Sequence, residues 1–521
     1  MRVAIRVDAS LKIGTGHAMR CRTIGLALRQ QGVVVDFIMR LHMGHLGELL
    51  LNDGFKVYLL SAPNEAYIEK SKYADWLGVT QDFDANETIE FIKDANYDWL
   101  VVDHYGLDQN WEKALKKYVM QIMVIDDLAD RKHDCEILLD QNFSLNYEQR
   151  YRDLVPKFCK LLTGPRFALL SQEYFRKRTT NRLKKINSIQ RLLVYMGGSD
   201  NDNVSEKILE ALNVGELKNL EVDFVIGRNY FSKEKLIEKV KNRKKTKIYE
   251  NLPNLTNLVI HADAAIGAGG GALWERMCLG LPSFVISIAE NQIPGCVALS
   301  QAGLIYYLGE GKQLDSTEIA FKLRNYLCEI KKLNMMTADN QLLVDGRGTQ
   351  RVLQALKPTQ NSALRLRRAM LEDMQLYFIW ANDPKVRLNS INTKPIDLEA
   401  HSTWFRNKIQ TNNSALFVLT ANNLPVGQIR FDIENDVANI DFSLDDFVRG
   451  RGWATRLVEL GVEGLDVHKV DKVYAYVKNS NTLSKNVFLK LGFEVDKKKS
   501  NNNLICFKQL IRVKNATLAL T

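Results

Sequence analysis

The opening stretch of the chain is what most constrains its fold. Strand-like Val3–Val7 runs into Gly14-Thr15-Gly16-His17, then a helical pattern near Ala18–Gln30, then strand-like Val33–Ile38. A strand, a glycine-bearing turn, a helix and a second strand in that order predict a βαβ unit in a parallel sheet covered by helices. Further apolar runs at Trp99–Val102 and Gln121–Ile125 end in polar or acidic residues, as expected at the carboxyl edge of such a sheet. The same grammar restarts at Arg191–Met196, followed by Gly197-Gly198-Ser199-Asp200, a helix through about Leu212 and a strand at Glu221–Ile226.

At 521 residues the chain exceeds one ordinary core, and usual domain sizes suggest roughly three or four compact units. The charged stretch Arg176–Asn187 suits a connection between the first two blocks, and a third block starts near Leu364 after a linker at Pro358–Ser362. The expected domains are therefore 1–175, 188–357 and 364–515. Two doubly wound domains side by side predict a cleft lined by the carboxyl ends of their strands.

With 46% hydrophobic and 25% charged residues, the composition is that of a globular protein. No apolar run approaches the roughly twenty residues that span a bilayer. Met1–Ser10 reads as a strand and not as a signal peptide, so a cytoplasmic location without membrane attachment is expected. The seven cysteines are scattered and include no C-x-x-C pair, as in a reducing compartment. The net charge of +10 suits polyanionic nucleotide ligands. The basic runs Lys241–Lys247 and Lys497–Lys499 lack interleaved aromatics and read as solvated surface, so no nucleic-acid partner is expected.

Two loops carry candidate chemistry in the first two blocks. Gly14–His17 leaves a strand and opens a helix, so its amides face whatever sits above the helix end. His17 stands in the first turn, where the helix dipole disfavours protonation, and a neutral imidazole there can act as a general base. A histidine that merely caps its helix fits the spacing equally well. In the second block, strand-like Ala264–Ile266 leads through Gly267-Ala268-Gly269-Gly270-Gly271-Ala272 into the helix Leu273–Met277. Such a loop seats a pyrophosphate on bare amides, and Glu275, one turn in, can accept hydrogen bonds from ribose hydroxyls. No metal site is expected: His42 and His45 form the one close histidine pair, in what reads as a mobile loop.

Taken together, several segments between about 1 and 345 resemble the UDP-sugar hydrolases of pseudaminic acid biosynthesis. They are Arg6-Val7-Asp8-Ala9-Ser10, Gly14-x-Gly16-His17-x-x-Arg20, Asp103-His104-Tyr105-Gly106, Asp126-Asp127, Met196–Asp200, the Gly-rich loop to Glu275, and Glu290-Asn291-Gln292. The resemblance implies a GT-B fold and removal of UDP from a 2,4-diacetamido-2,4,6-trideoxyhexose. It implies His17 as the base that activates water, Tyr105 and Asn291 at the sugar, and Glu275 at the ribose. Gly16, Gly197, Gly198, Gly269 and Gly270 then line the substrate site.

In the third block, strand-like Ala438–Leu444 is followed by Arg449-Gly450-Arg451-Gly452-Trp453-Ala454 and a helix at Thr455–Leu465. A strand at Val473–Val477 then precedes Asn481-x-x-Ser484-x-x-x-Phe488-x-Lys490-x-Gly492-Phe493. This pair of motifs resembles GNAT acetyltransferases, whose R/Q-x-x-G-x-G/A loop holds the pyrophosphate of coenzyme A. Acetyl-CoA is the implied cosubstrate, with Arg449–Ala454, Asn481 and Ser484 at the coenzyme. Many such enzymes place a Tyr acid where this chain has Phe488, which leaves that role open. Asp441 shares a strand face with Asn439 and Ser443 and can accept the amine proton or serve a structural role. Asn389-Ser390 and His401-x-x-Trp404-Phe405 resemble acetyltransferases of UDP-4-amino sugars, which makes Arg387 and His401 candidates for touching substrate; packing of His401 beside Trp404 is equally compatible.

The expected fold class is α/β, a GT-B-like pair of doubly wound domains followed by a C-terminal GNAT domain. The expected protein is a bifunctional enzyme that acetylates a UDP-4-amino sugar and hydrolyses the product with inversion. The alternative is a GT-B glycosyltransferase fused to a protein N-acetyltransferase.

Overall fold

The computed structural model describes residues 1–63, 73–180, 185–198, 200, 202–227, 230, 232–250, 252, 254–357, 362–465 and 470–511, to which all counts below refer. Ser199 and residues 358–361 of the expected linker lie outside them. The chain forms two compact units, Met1–Leu353 and Gln354–Thr521.

The first unit holds two parallel sheets. Strands β1 (Arg2–Val7), β2 (Val34–Arg40), β3 (Lys56–Leu60), β4 (Tyr97–Asp103), β5 (Val119–Ile125), β6 (Ile137–Asp140) and β7 (Lys160–Thr163) order as β3-β2-β1-β4-β5-β6-β7. Helix α1 (Gly16–Arg29) makes the first crossover from β1 to β2. The strands read as near-continuous apolar runs because both faces are covered; Val3, Ala4 and Ile5 are all 0% exposed. Strands β8 (Arg191–Tyr195), β9 (Glu221–Ile226), β10 (Thr246–Glu250), β11 (Ala264–Ala268), β12 (Ser283–Ser287) and β13 (Tyr306–Glu310) form the second sheet, ordered β10-β9-β8-β11-β12-β13. In each sheet the order reverses direction after the first-formed strand, so β1/β4 and β8/β11 are the switch points where ligands bind in folds of this kind.

A fully buried ion network fixes the upper end of β1. Arg6 reaches Asp8 and Asp84, each at 2.6 Å, and Arg40 reaches Asp84 at 2.6 Å, with all four side chains 0% exposed. Buried charges persist only when paired in this way, which accounts for the Arg6-Val7-Asp8 segment as a structural element.

Two sequence expectations change. The expected connection Arg176–Asn187 begins as helix: α2 (Gln172–Thr180) ends within it, residues 181–184 lie outside the described residues, and Arg178 donates to the Gln341 carbonyl at 2.9 Å. Tyr174 and Arg178 fall one helical turn apart on a single packed face, which sequence charge alone conceals. Arg243, inside the basic run Lys241–Lys247, is buried, donating to the carbonyls of Leu217 and Leu220 and to Thr246.

The second unit carries one mixed sheet of β14 (Leu364–Arg368), β15 (Ser414–Ala421), β16 (Leu424–Glu434), β17 (Val437–Leu444), β18 (Lys472–Lys478), β19 (Glu494–Val495) and β20 (Leu504–Leu510), ordered β14-β15-β16-β17-β18-β20-β19. All pairings are antiparallel except β17 with β18, which are parallel and paired only from Val437↔Lys472 to Asn439↔Tyr474. Beyond that the two strands no longer pair, leaving an opening in the middle of the sheet.

Candidate functional site

His17 sits in the first turn of α1, whose preceding residue Thr15 makes no side-chain capping bond. Its Nδ1 lies 2.6 Å from Oδ1 of Asp103, the last residue of β4, and its side chain is 11% exposed. Arg20, one turn further along α1, donates to both oxygens of Asp103 at 2.7 Å and to Asp127 at 2.7 Å. Burial pushes the Asp103 carboxyl up, but Arg20 and then His17 outweigh it and hold it well below the usual carboxylate range. An ionised carboxylate only accepts, so Nδ1–H of His17 is the donor in this contact, and Arg20 Nη2 lies 3.2 Å from the same nitrogen.

The second lobe reaches the same place. Tyr105 donates to Asp127 at 2.6 Å and accepts from Nδ2 of Asn291 at 3.1 Å. The Tyr105 ring meets His17 edge-on at 4.6 Å between centroids and stacks on Trp76 at 5.2 Å. Gly198 faces the Gly14–His17 loop so closely that a Cβ there would lie 2.3 Å from Oγ1 of Thr15, while Gly197 holds φ +97°, a left-handed conformation suited to glycine. Asn291 precedes helix α4 (Ile293–Gln301), and its neighbour Gln292 packs by Gly269. Thus His17, Gly16, Tyr105, Asn291, Gly197 and Gly198 gather at one cleft.

The Gly-rich loop opens helix α3 (Gly271–Cys278), again without a side-chain cap on its first amides. A Cβ on Gly269 would meet Sγ of Cys296 at 2.3 Å, so that glycine serves close packing. At Gly270 a Cβ would have only Gln292 Nε2 nearby, at 3.6 Å, and at Gly271 nothing within 4 Å. Open amides at a helix N-terminus form an anion seat. Glu275 is partly buried and accepts from the Tyr174 hydroxyl at 2.6 Å.

His42 and His45 do not converge: His42 is buried with Nε2 3.7 Å from Asp8, and His45 Nδ1 accepts from the Gly47 amide. Among the described residues no group of three or more His, Cys, Asp or Glu side chains is arranged to hold a metal ion. No helix among them is long and apolar enough to cross a membrane.

In the second unit the loop after β17 places Gly450 at φ +82° and Gly452 at φ +76°, with nothing within 4 Å of a Cβ at either. Helix α6 (Trp453–Glu463), separated from helix α5 (Leu398–Gln410) by β15–β17, starts there without a side-chain cap. Open amides and left-handed glycines beside the divergence of β17 and β18 fit a pyrophosphate carried by an elongated coenzyme. The loop's arginines are engaged: Arg449 pairs with Asp383 at 2.9 Å, and Arg451 lies over the Trp453 ring. Backbone, more than guanidinium, is what the loop including Ala454 offers. Asn481 caps helix α7 (Thr482–Lys490), accepting from the Ser484 amide at 3.1 Å and donating to its hydroxyl at 3.0 Å.

Asp441 is 54% exposed, with Arg430 3.6 Å away and Gln428 donating to it at 3.2 Å. Arg387 turns onto its own loop, donating to Ser390 and the Asn392 carbonyl, and burial lowers its pKa, an effect Asp441 opposes and Arg430 adds to. His401 is 2% exposed, its Nε2 donates to the Met374 carbonyl at 3.1 Å, and it packs against Phe378 and Trp404, so it stands in the core. Phe488 packs with Phe442, Phe493 and Phe507 at 2% exposure and offers no proton.

Sequence reasoning gave no role to Asp103, Arg20 or Asp127, although His17 and Arg20 at helical spacing signalled a shared face. Trp76 and Tyr174 carried no signal.

The chain is thus a two-lobed α/β unit followed by a unit whose mixed sheet opens between β17 and β18. Residues 363–494 match the model of the acetyltransferase (GNAT) domain family, and the C-terminal region carries such a domain. Across 97% of this chain and 99% of its own length, an uncharacterized protein of Methanocaldococcus jannaschii is 22% identical. The UDP-2,4-diacetamido-2,4,6-trideoxy-beta-L-altropyranose hydrolase of Campylobacter jejuni is 26% identical, covering 58% of this chain and 97% of the hydrolase. The acetyltransferase PseH of the same organism is 25% identical, covering 26% of this chain and 87% of PseH. A fusion of a hydrolase-like N-terminal part with a GNAT domain is therefore supported.

Proposed function

We propose that the first unit hydrolyses a UDP-linked 2,4-diacetamido-2,4,6-trideoxyhexose to UDP and free sugar. The second unit transfers the acetyl group of acetyl-CoA to a UDP-4-amino sugar, making the substrate of the first, in the cytoplasmic route to pseudaminic acid. The division 1–175, 188–357 and 364–515 belongs to this reading.

The observation that carries it is the His17–Asp103 pair at 2.6 Å, flanked by Tyr105 and Asn291. Asp103 orients the imidazole, and Nε2 takes a proton from water as the water oxygen bonds to the anomeric carbon. The bond from that carbon to the diphosphate oxygen breaks on the opposite face, and UDP leaves with the electron pair. Attack opposite the leaving group inverts the carbon. The uncapped helix starts at Gly16 and Gly270, with the Gly197-Gly198 turn, stabilise the departing diphosphate. Tyr105 and Asn291 bracket the sugar, and Glu275 holds the ribose.

In the second unit, Gly450–Ala454 hold the coenzyme by backbone amides, with Asn481 and Ser484 forming the second wall. Acetyl-CoA supplies the thioester. Asp441, exposed beside Arg387 and Arg430, accepts the proton released by the attacking amine, and proximity supplies much of the rate.

The test uses the diacetamido UDP-sugar in water enriched in oxygen-18, with no acceptor. Release of UDP with the label in the sugar and none in UDP supports hydrolysis by carbon–oxygen cleavage. Label in UDP, or no release until an acceptor is added, overturns it.

A further inference from the structure

Tyr174, the donor to Glu275, has its side chain held on more than one side. It sits in α2, the helix that follows the first lobe and packs on α3 of the second. Its ring is buried at 2% exposure. Its hydroxyl donates to Oε2 of Glu275 at 2.6 Å and accepts from the Leu255 amide at 3.3 Å. Next to it, Glu173 accepts from Asn254 and Thr256, both at 2.8 Å, so the start of α2 is anchored by four hydrogen bonds.

The other oxygen of Glu275, Oε1, takes no hydrogen bond from the described residues, and it is not among the buried atoms lacking a partner. One oxygen is thus pinned and the other takes no hydrogen bond from the described residues. A carboxylate on a flexible side chain pays rotamer entropy each time it binds a hydroxyl pair. Pinning one oxygen removes that cost and fixes where the second points.

We propose that Tyr174 is a positioning residue that presents Glu275 to the vicinal hydroxyls of a bound nucleotide, making the pocket selective for ribonucleotides over 2′-deoxyribonucleotides. The inference rests on the reading of Glu275 as a ribose acceptor. The hydroxyl also serves the charge state of its partner. Burial pushes the Glu275 carboxyl up, and the Tyr174 hydrogen bond offsets part of that rise. Arg276 on its own helix acts in the same direction as Tyr174. Tyr195 at the end of β8 and Cys278 on α3 also lie within its electrostatic reach.

The experiment is calorimetric titration of the full chain with UDP and with 2′-deoxy-UDP, for wild type, Tyr174→Phe and Glu275→Gln, repeated from pH 5 to 8. Wild type is expected to prefer UDP by roughly tenfold, the loss typical of one charged hydrogen bond. Tyr174→Phe should bring that ratio close to one, with the larger loss falling on UDP. Its UDP affinity should also begin to fall at a higher pH than that of wild type, which a purely structural role would not produce. If Glu275→Gln loses the preference and Tyr174→Phe keeps it at every pH, the role of Tyr174 is overturned while the nucleotide reading stands. If wild type and Glu275→Gln discriminate equally, the ribose reading fails and the inference falls with it.

Discussion

Nδ1 of His17 lies 2.6 Å from Oδ1 of Asp103, a contact that engages Nδ1 and orients the imidazole. Arg20 grips the same carboxylate and carries the connection to Asp127, Tyr105 and, across the cleft, Asn291. The proposed base is therefore positioned by residues of both lobes.

Replacing His17 by Ala should lower UDP release by about a hundredfold or more, the usual range for a lost general base, with UDP affinity nearly unchanged. Asp103→Asn should lower kcat by a similar order, because an amide can donate to Nδ1 and favour the wrong tautomer. Initial-rate assays with titration of UDP check both. A kcat in Asp103→Asn equal to wild type would remove the orienting role.

Much of this was legible in the sequence, and the reasons are local. Glu221–Ile226 is a strand over the expected residues because its apolar run is bounded by turn residues. The glycines at 450 and 452 announced a backbone turn before a helix, and both have positive φ. The role of Asp103 is not legible in the sequence, since its partner lies 86 residues away and no periodicity links a strand end to a helix start. His401 stood open between two readings for a related reason: a histidine three residues before Trp404 reads alike whether it faces a ligand or the core, and its bond to the Met374 carbonyl favours the core.

Stability of the first unit should depend on pH through His104. Burial, opposed by Asp8, lowers its pKa to about 4, and its Nδ1 accepts from the Gly106 amide. The unfolded chain binds a proton near pH 6.5, earlier than the folded one, so this contribution is complete above about pH 6.5 and is lost as pH falls toward 4. The loss is on the order of 3 kcal/mol at 1.36 kcal/mol per pKa unit. Urea unfolding at pH 7 and pH 5 should show the decrease in wild type and a weaker one in His104→Asn; equal slopes would contradict it.

Restoring the tyrosine that many GNAT enzymes use should fail. In Phe488→Tyr the hydroxyl enters a cluster formed by Phe442, Phe493 and Phe507. An unsatisfied buried hydroxyl costs about 1–3 kcal/mol. Acetylation should not rise, and the melting temperature should drop; a faster variant of unchanged stability would show that the position faces the coenzyme.

Tyr105→Phe removes the hydroxyl shared by Asp127 and Asn291. It should raise KM for the UDP-sugar several-fold and lower kcat by about tenfold, while free UDP binds as before. Steady-state kinetics with a UDP titration separates these effects. Equal loss of UDP affinity would place Tyr105 at the nucleotide instead of the sugar.

The measurement that bears most directly on a coupled pair of activities is free UDP released from a UDP-4-amino-4,6-dideoxy sugar carrying a 2-acetamido group, with and without acetyl-CoA. A sugar pocket shaped for an acetamido group disfavours a charged amine, whose burial without a partner is costly. Wild type should release UDP rapidly only with acetyl-CoA, and Gly452→Trp, which fills the open coenzyme loop, should release little in either case. Rapid release from the unacetylated sugar without acetyl-CoA would contradict the proposed order of the two reactions.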